Sequence, residues 1–104
     1  VFEAIRTGTP PLALWRVVAK TQTVGHLLAQ PLHTHAGKPF LFVHQAAHDG
    51  PRDSSLWTLA EAILDDYARE YGAMWLEMAT TQPKFFAKQR WIQRSVTCWR
   101  EVRT

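Results

Sequence analysis

From Leu56 the apolar residues recur at Leu59, Ile63, Tyr67 and Tyr71, with Ala60, Leu64 and Ala68 beside them. Residues three and four apart share one face of a helix, so this spacing predicts an amphipathic helix that must lie against something else. Asp53, Ser54 or Ser55 can cap its start by accepting from the free N–H groups of the first turn. Gly72 offers an end as the residue after the last turn, in which case AMWLEMATT is a separate strand or helix; the alternative is a helix that runs on to Met78. Glu61, Asp65, Asp66 and Glu70 lie off the stripe and make an acidic outer face.

What precedes this helix supplies its partner. LALWRVVAK from Leu12 and VGHLLAQ from Val24 are rich in strand-forming residues, and the polar stretch near Lys20 to Thr23 reads as the turn between two antiparallel strands. Gly25 marks a candidate bulge. The run Phe40 to His44 is compact, aromatic and β-branched, as a buried strand is, and His48 to Pro51 punctuate the chain after it. Gly8, Pro10 and Pro11 interrupt the start, so residues 1–11 read as a loop, a short helix or a linker. Strands followed by helices predict an α+β fold: a small antiparallel sheet of about three strands over residues 12–45, with one or two helices packed on one face.

A chain of 104 residues is expected to be a single domain, 1–104, and the absence of an initiator Met suits a domain excised from a longer protein. No apolar run approaches the roughly 20 residues of a membrane-spanning helix, and the first residues do not read as a secretory leader. Cys98, the lone cysteine, has no internal disulfide partner and reads as a buried, inert thiol. The expected setting is cytoplasmic, without a membrane partner.

Charge is distributed unevenly. Residues 1–52 carry five bases and two acids, residues 53–82 one base and six acids, and residues 83–104 six bases and one acid. The last segment, KFFAKQRWIQRSVTCWREVRT, also carries Phe85, Phe86, Trp91 and Trp99. Cations meet phosphates and flat rings stack on bases, so the expectation is a non-catalytic nucleic-acid-binding domain, DNA more than RNA, serving a larger DNA-processing protein. On a helix with Ile92, Val96 and Trp99 inward, Lys84, Lys88, Arg90, Arg94 and Arg100 would contact phosphates and Trp91 would stack; Trp15, Trp57, Trp75 and Trp99 are assigned to the core. The alternative is a protein-interaction or oligomerisation module, in which acidic and basic faces pair with another protein or a second copy.

All five histidines fall between His26 and His48. His33 and His35, with His44 and His48 converging on them, are weak candidates for a metal site, which makes a small histidine-dependent metalloenzyme or nuclease the third reading. A His pair followed by Tyr67 and Tyr71 on a helix is similar in order to rolling-circle replication initiators. Thr34 between the histidines and acids around the tyrosines depart from that pattern, and those acids would repel DNA phosphates. Tyr67 and Tyr71 are therefore read as aromatics at the core edge. No G-x-S-x-G elbow, Walker loop, G-x-G-x-x-G turn or C-x-x-C pair is present, so no catalytic residue and no cofactor is assigned.

Overall fold

The computed structural model describes residues 2–49, 54–79, 91, 92 and 100. Along the chain run β1 (Phe2–Thr7), β2 (Ala13–Ala19), β3 (Gln22–His33), β4 (Pro39–His48), α1 (Ser54–Glu70) and β5 (Leu76–Met78). They build one mixed sheet of five strands in the order β1-β2-β3-β4-β5. The first four strands pair antiparallel through short connections, and β5 pairs parallel to β4. A parallel pair needs a crossover connection, and α1 is that crossover.

This corrects the three-stranded antiparallel sheet expected over residues 12–45. Residues 2–7, read as a loop, short helix or linker, are strand β1, paired with β2 from Phe2↔Ala19 to Thr7↔Leu14. The segment after Gly72 supplies the parallel strand β5, and β4 extends to His48 rather than ending at His44. Strand β5 is three residues long and is set by a neighbour distant in sequence, whereas β1 is held by pairing with the strand that follows it, rather than by its own local propensity.

One face of the sheet is the core. Strand side chains alternate between faces, so Ala13, Trp15 and Val17 of β2, Leu27 and Ala29 of β3, and Leu41 and Val43 of β4 all point the same way and are buried. Helix α1 covers them with Ala60, Leu64, Tyr67 and Ala68. The buried line therefore runs about one residue beyond the stripe read from the sequence, with Leu56, Leu59 and Ile63 half-buried at its margin and Tyr71 exposed. Burying one Leu or Val side chain contributes roughly 1.5–3 kcal/mol, so this single layer carries the domain. Trp15 and Tyr67 meet edge to face, ring centres 5.0 Å apart at 83°, and the Tyr67 hydroxyl donates to the Pro11 carbonyl.

Helix α1 stops where Gly72 takes a left-handed φ of 67°. The Ala73 N–H donates to the Ala68 carbonyl at 2.8 Å and the Gly72 N–H to the Arg69 carbonyl at 3.2 Å, the paired bonds of a Schellman cap. The chain then turns straight into β5. Among the described residues no helix is long and apolar enough to cross a membrane.

Candidate active site

Strand β4 is the hinge of the sheet. Its first half is paired on both sides, to β3 and, through Leu41↔Leu76, Phe42↔Glu77 and Val43↔Met78, to β5. At the next residue two things change together. The pairing with β5 ends, and the register with β3 shifts, Ala29↔Val43 being followed by Leu28↔Gln45, which leaves His44 as an extra, bulged residue. A bulge bends its strand and reverses which residues turn their backbone groups to each side.

The hydrogen bonds record this reversal. Before the bulge the Leu41 N–H donates to Trp75 at 3.0 Å and the Pro39 carbonyl accepts from Met74 at 2.9 Å, so odd-numbered residues face β5. Beyond it the Asp49 N–H donates to Val24 of β3 at 2.8 Å, so odd residues face β3 and the even ones, Ala46 and His48, face away from it. No described strand pairs with this side of β4 after Val43. The result is an open strand edge, flanked by the small residues Ala46 and Ala47, running toward the end of the molecule where α1 begins at Ser54. In open sheets, ligands bind outside the carboxyl ends of strands where the topology changes, and here antiparallel gives way to parallel at β4. An unpaired edge offers N–H and C=O groups to an extended ligand, and the N-terminus of a helix favours negative charge.

On the sheet face opposite α1, the bulge displays a second set of groups. His44 is exposed, and its Nε2 lies 3.0 Å from Gln30 Oε1 on β3. The Phe42 ring stands edge-on to the imidazole, centres 4.8 Å apart at 73°. Just before β5, Trp75 Nε1 donates to Glu77 Oε1 at 2.9 Å, and the Trp75 ring stacks on Phe40 at 5.4 Å and 4°.

The histidines singled out as metal ligands do not converge. His33 sits at the end of β3 opposite Pro39, His35 in the following turn, and His48 at the far end of the β3–β4 ladder opposite Gly25. Among the described residues no three His, Cys, Asp or Glu side chains form a metal-holding group. An antiparallel ladder of this length keeps its two ends roughly 30 Å apart at about 3.3 Å per residue.

Of the residues assigned to nucleic acid, Lys84, Lys88, Arg90 and Arg94 lie outside the described residues, as does Trp99. Arg100 is exposed. Trp91 is half-buried and turned toward α1, with its ring 6.2 Å from that of Trp57 and its Nε1 donating to Glu61 Oε2 at 3.3 Å. Ile92, expected to face inward, is 84% exposed. Trp15 is buried as assigned, whereas Trp57 is half-buried at the edge of the core and Trp75 lies on the opposite face of the sheet. The acidic face of α1 is partly used within the molecule: Glu70 accepts from Arg6 at 3.2 Å and Asp66 from Arg69 at 2.6 Å.

No protein-family model matches the sequence, and no curated protein matches it. Solved structures do match in three dimensions. An aminoglycoside acetyltransferase from an uncultured soil metagenomic sample superimposes with a TM-score of 0.73 at 14% identity, covering 92% of this chain and 68% of its own. An aminoglycoside N-acetyltransferase in complex with CoA gives 0.70 at 13% identity, covering 89% and 68%. A ribosomal-protein-alanine N-acetyltransferase from Brucella melitensis gives 0.67 at 14%, covering 92% and 74%. Another matched structure is described as a transcriptional regulator from Bacillus halodurans. These likenesses overturn the expected non-catalytic DNA-binding domain, which rested on the basic, aromatic composition of residues 84–104 and on a smaller sheet than the chain builds. The five-stranded mixed sheet with its crossover helix is similar in fold to these acetyltransferases.

Proposed function

We propose that the chain is an acyl-CoA-dependent N-acyltransferase, moving an acyl group from a CoA thioester to an amine. The observation that carries the reading is the coincidence, at His44, of the bulge in β4 with the end of its pairing to β5. That coincidence opens the backbone edge of Ala46 and His48 on the strand that precedes α1 in the chain, in a fold shared with acetyltransferases. The donor set fits such a ligand. CoA has an extended arm with two amide groups, which suits pairing with a strand edge, and a diphosphate, which suits the amino end of a helix. Ala46 and Ala47 leave room beside that edge. When bound, the thioester supplies the activated acyl carbon; this chain supplies the edge that holds the arm and the side chains that meet the amine.

The test is direct. Calorimetric titration of the purified chain with CoA and acetyl-CoA is expected to give binding of micromolar order. Thiol release from acetyl-CoA is then followed with a panel of primary amines: aminoglycosides, polyamines and peptides with free N-termini. Absence of CoA binding at millimolar concentration would sink the reading.

A further inference from the structure

We infer that the Glu77 carboxylate, set among Trp75, Phe40 and Phe42, holds a second ammonium group of the acyl acceptor, so that this chain selects diamines and polyamines; the assignment rests on the acyltransferase reading above. Glu77 and Phe42 are partners in the β4–β5 ladder, and partners in a ladder point to the same face. That face is the one opposite α1, since the flanking Leu76 and Met78 pack against the core. Phe40 and Trp75, stacked at 5.4 Å and 4°, stand two residues back along the same two chain segments.

The carboxylate is prepared for a cation. Glu77 is half-buried, as are the three rings beside it, and a carboxylate partly withdrawn from water is costly unless donors or a positive charge replace that water. Trp75 supplies one donor, Nε1 to Oε1 at 2.9 Å, which also fixes the orientation of the group. Oε2 is left to accept from elsewhere: among the described residues no lysine or arginine pairs with Glu77. A glutamine would accept the indole N–H equally well, so the bond to Trp75 alone gives no use for the charge. An ammonium uses it, by donating to the carboxylate while the rings attract its charge. Arg16, the arginine of this face, is on β2, two strands beyond β4, roughly 10 Å at about 4.8 Å per strand. His44 is tied to Gln30.

The position of Glu77 gives the acceptor its shape. Pairing of β4 with β5 ends at Val43 and Met78, one residue beyond Phe42 and Glu77, and the open edge starts there. Glu77 is level with Phe42, two residues short of His44, roughly 6–7 Å at about 3.3 Å per residue. The nitrogen held by Glu77 is not the one acylated. A carboxylate favours the ammonium form, which has no lone pair with which to attack. The reacting amine is therefore a neighbour of the held one, and a separation of roughly 6–7 Å is that of two amino groups on a short, flexible polyamine.

Putrescine and butylamine, alike except for the second amine, test this with two readouts. Putrescine is expected to be acylated with a KM about tenfold below that of butylamine. Glu77→Gln keeps the volume and the bond from Trp75 but removes the charge. It should raise KM for putrescine about tenfold, with kcat, butylamine kinetics and CoA affinity each within about twofold of the parent. The second readout needs no turnover. In ¹H–¹⁵N spectra the Trp75 indole N–H, identified by its loss in Trp75→Phe, should shift when putrescine is added to the parent and stay in place in Glu77→Gln. A resonance that putrescine leaves in place in the parent, or a KM for putrescine that Glu77→Gln leaves unchanged, overturns the site, and the acyltransferase reading then stands on CoA binding and transfer. If the parent neither binds CoA nor transfers while putrescine moves the Trp75 resonance through Glu77, the ammonium site stands and the acyltransferase reading falls. If putrescine moves nothing either, both fall.

Discussion

The guanidinium carbon of Arg6 lies 4.6 Å from the centre of the Tyr67 ring. It is also 5.9 Å from the centre of the Trp15 ring, and its Nη1 is 3.2 Å from Glu70 Oε2. One side chain of the edge strand β1 therefore clamps two core aromatics and the last turn of α1. The ring contacts and the ion pair contribute differently. The Arg6 and Glu70 side chains are 38% and 52% exposed, and an ion pair so open to water contributes little. The stem and guanidinium plane cover apolar ring surface, which water cannot replace.

Replacing the two partners separately should therefore give unequal results. Arg6→Leu is expected to destabilise the fold by about 1 kcal/mol, and Glu70→Gln by less than about 0.5 kcal/mol. Urea denaturation of the three proteins at moderate salt decides it. Equal losses would mean that the ion pair, and not the ring contact, anchors β1.

Tyr67 makes the same region sensitive to alkali. Burial first, and then the neighbouring Tyr71 hydroxyl, push its phenol up to about 12 from an ordinary 10.0, with Arg6 pulling the other way. The folded state thus binds this proton more tightly than the unfolded chain does. The resulting stability is fully present below pH 10 and is lost as pH rises through about 12, by up to roughly 2–3 kcal/mol at about 1.36 kcal/mol per unit. Tyr67→Phe loses the bond to the Pro11 carbonyl, costing about 1 kcal/mol at neutral pH. It should also lose this alkaline decline. Parallel stability curves for the two proteins between pH 9 and 12 would contradict the account.

Gly25 is required by crowding and not by turn geometry. A Cβ placed there would stand 2.7 Å from the Ala47 carbonyl oxygen and 3.5 Å from the His48 Cα, backbone atoms of the very stretch of β4 that carries the open edge. Gly25→Ala must push β4 away from β3, at a cost of about 1–3 kcal/mol. If the reading of the edge is right, CoA binding falls as well. A melting temperature within a degree or so of the parent would show that β4 yields freely at this point.

How much of this was legible in the sequence follows from where each feature's cause lies. The helix was readable because its causes are local: the stripe from Leu56 and the left-handed stop at Gly72. The strands at Ala13–Ala19 and Gln22–His33 and the start of β4 carried their own β-branched and aromatic residues. Strand β1 did not, since Glu3, Ile5 and Thr7 all face outward and the Gly–Thr–Pro–Pro run that follows speaks for a loop. Strand β5 is three residues whose pairing depends on a crossover of the whole helix. The site itself is made mostly of backbone. A bulge and an unpaired edge leave no residue signature, so His44 stood out only as a possible metal ligand, and Gln30 and Phe42 did not stand out at all. The basic tail, by contrast, spoke loudly in composition, and composition alone does not distinguish a phosphate-binding ridge from a solvated face.

The open edge can be closed without disturbing the sheet. Because odd residues beyond the bulge face β3, the N–H of Ala46 points away from the ladder, and proline is tolerated where a strand's N–H makes no ladder bond. Ala46→Pro removes that donor and fills the edge with its ring, so it should leave thermal stability within about 1 kcal/mol of the parent while weakening CoA binding about tenfold, the worth of roughly 1.4 kcal/mol. Ala47→Pro removes an N–H that faces β3, and should instead lower stability by about 1–3 kcal/mol through a broken ladder. Calorimetric titration with CoA and thermal unfolding of both variants separate the two effects. The diagnostic pattern is weak binding in a stable protein at position 46 beside lost stability at position 47. If both variants bind CoA like the parent, the ligand does not use this edge.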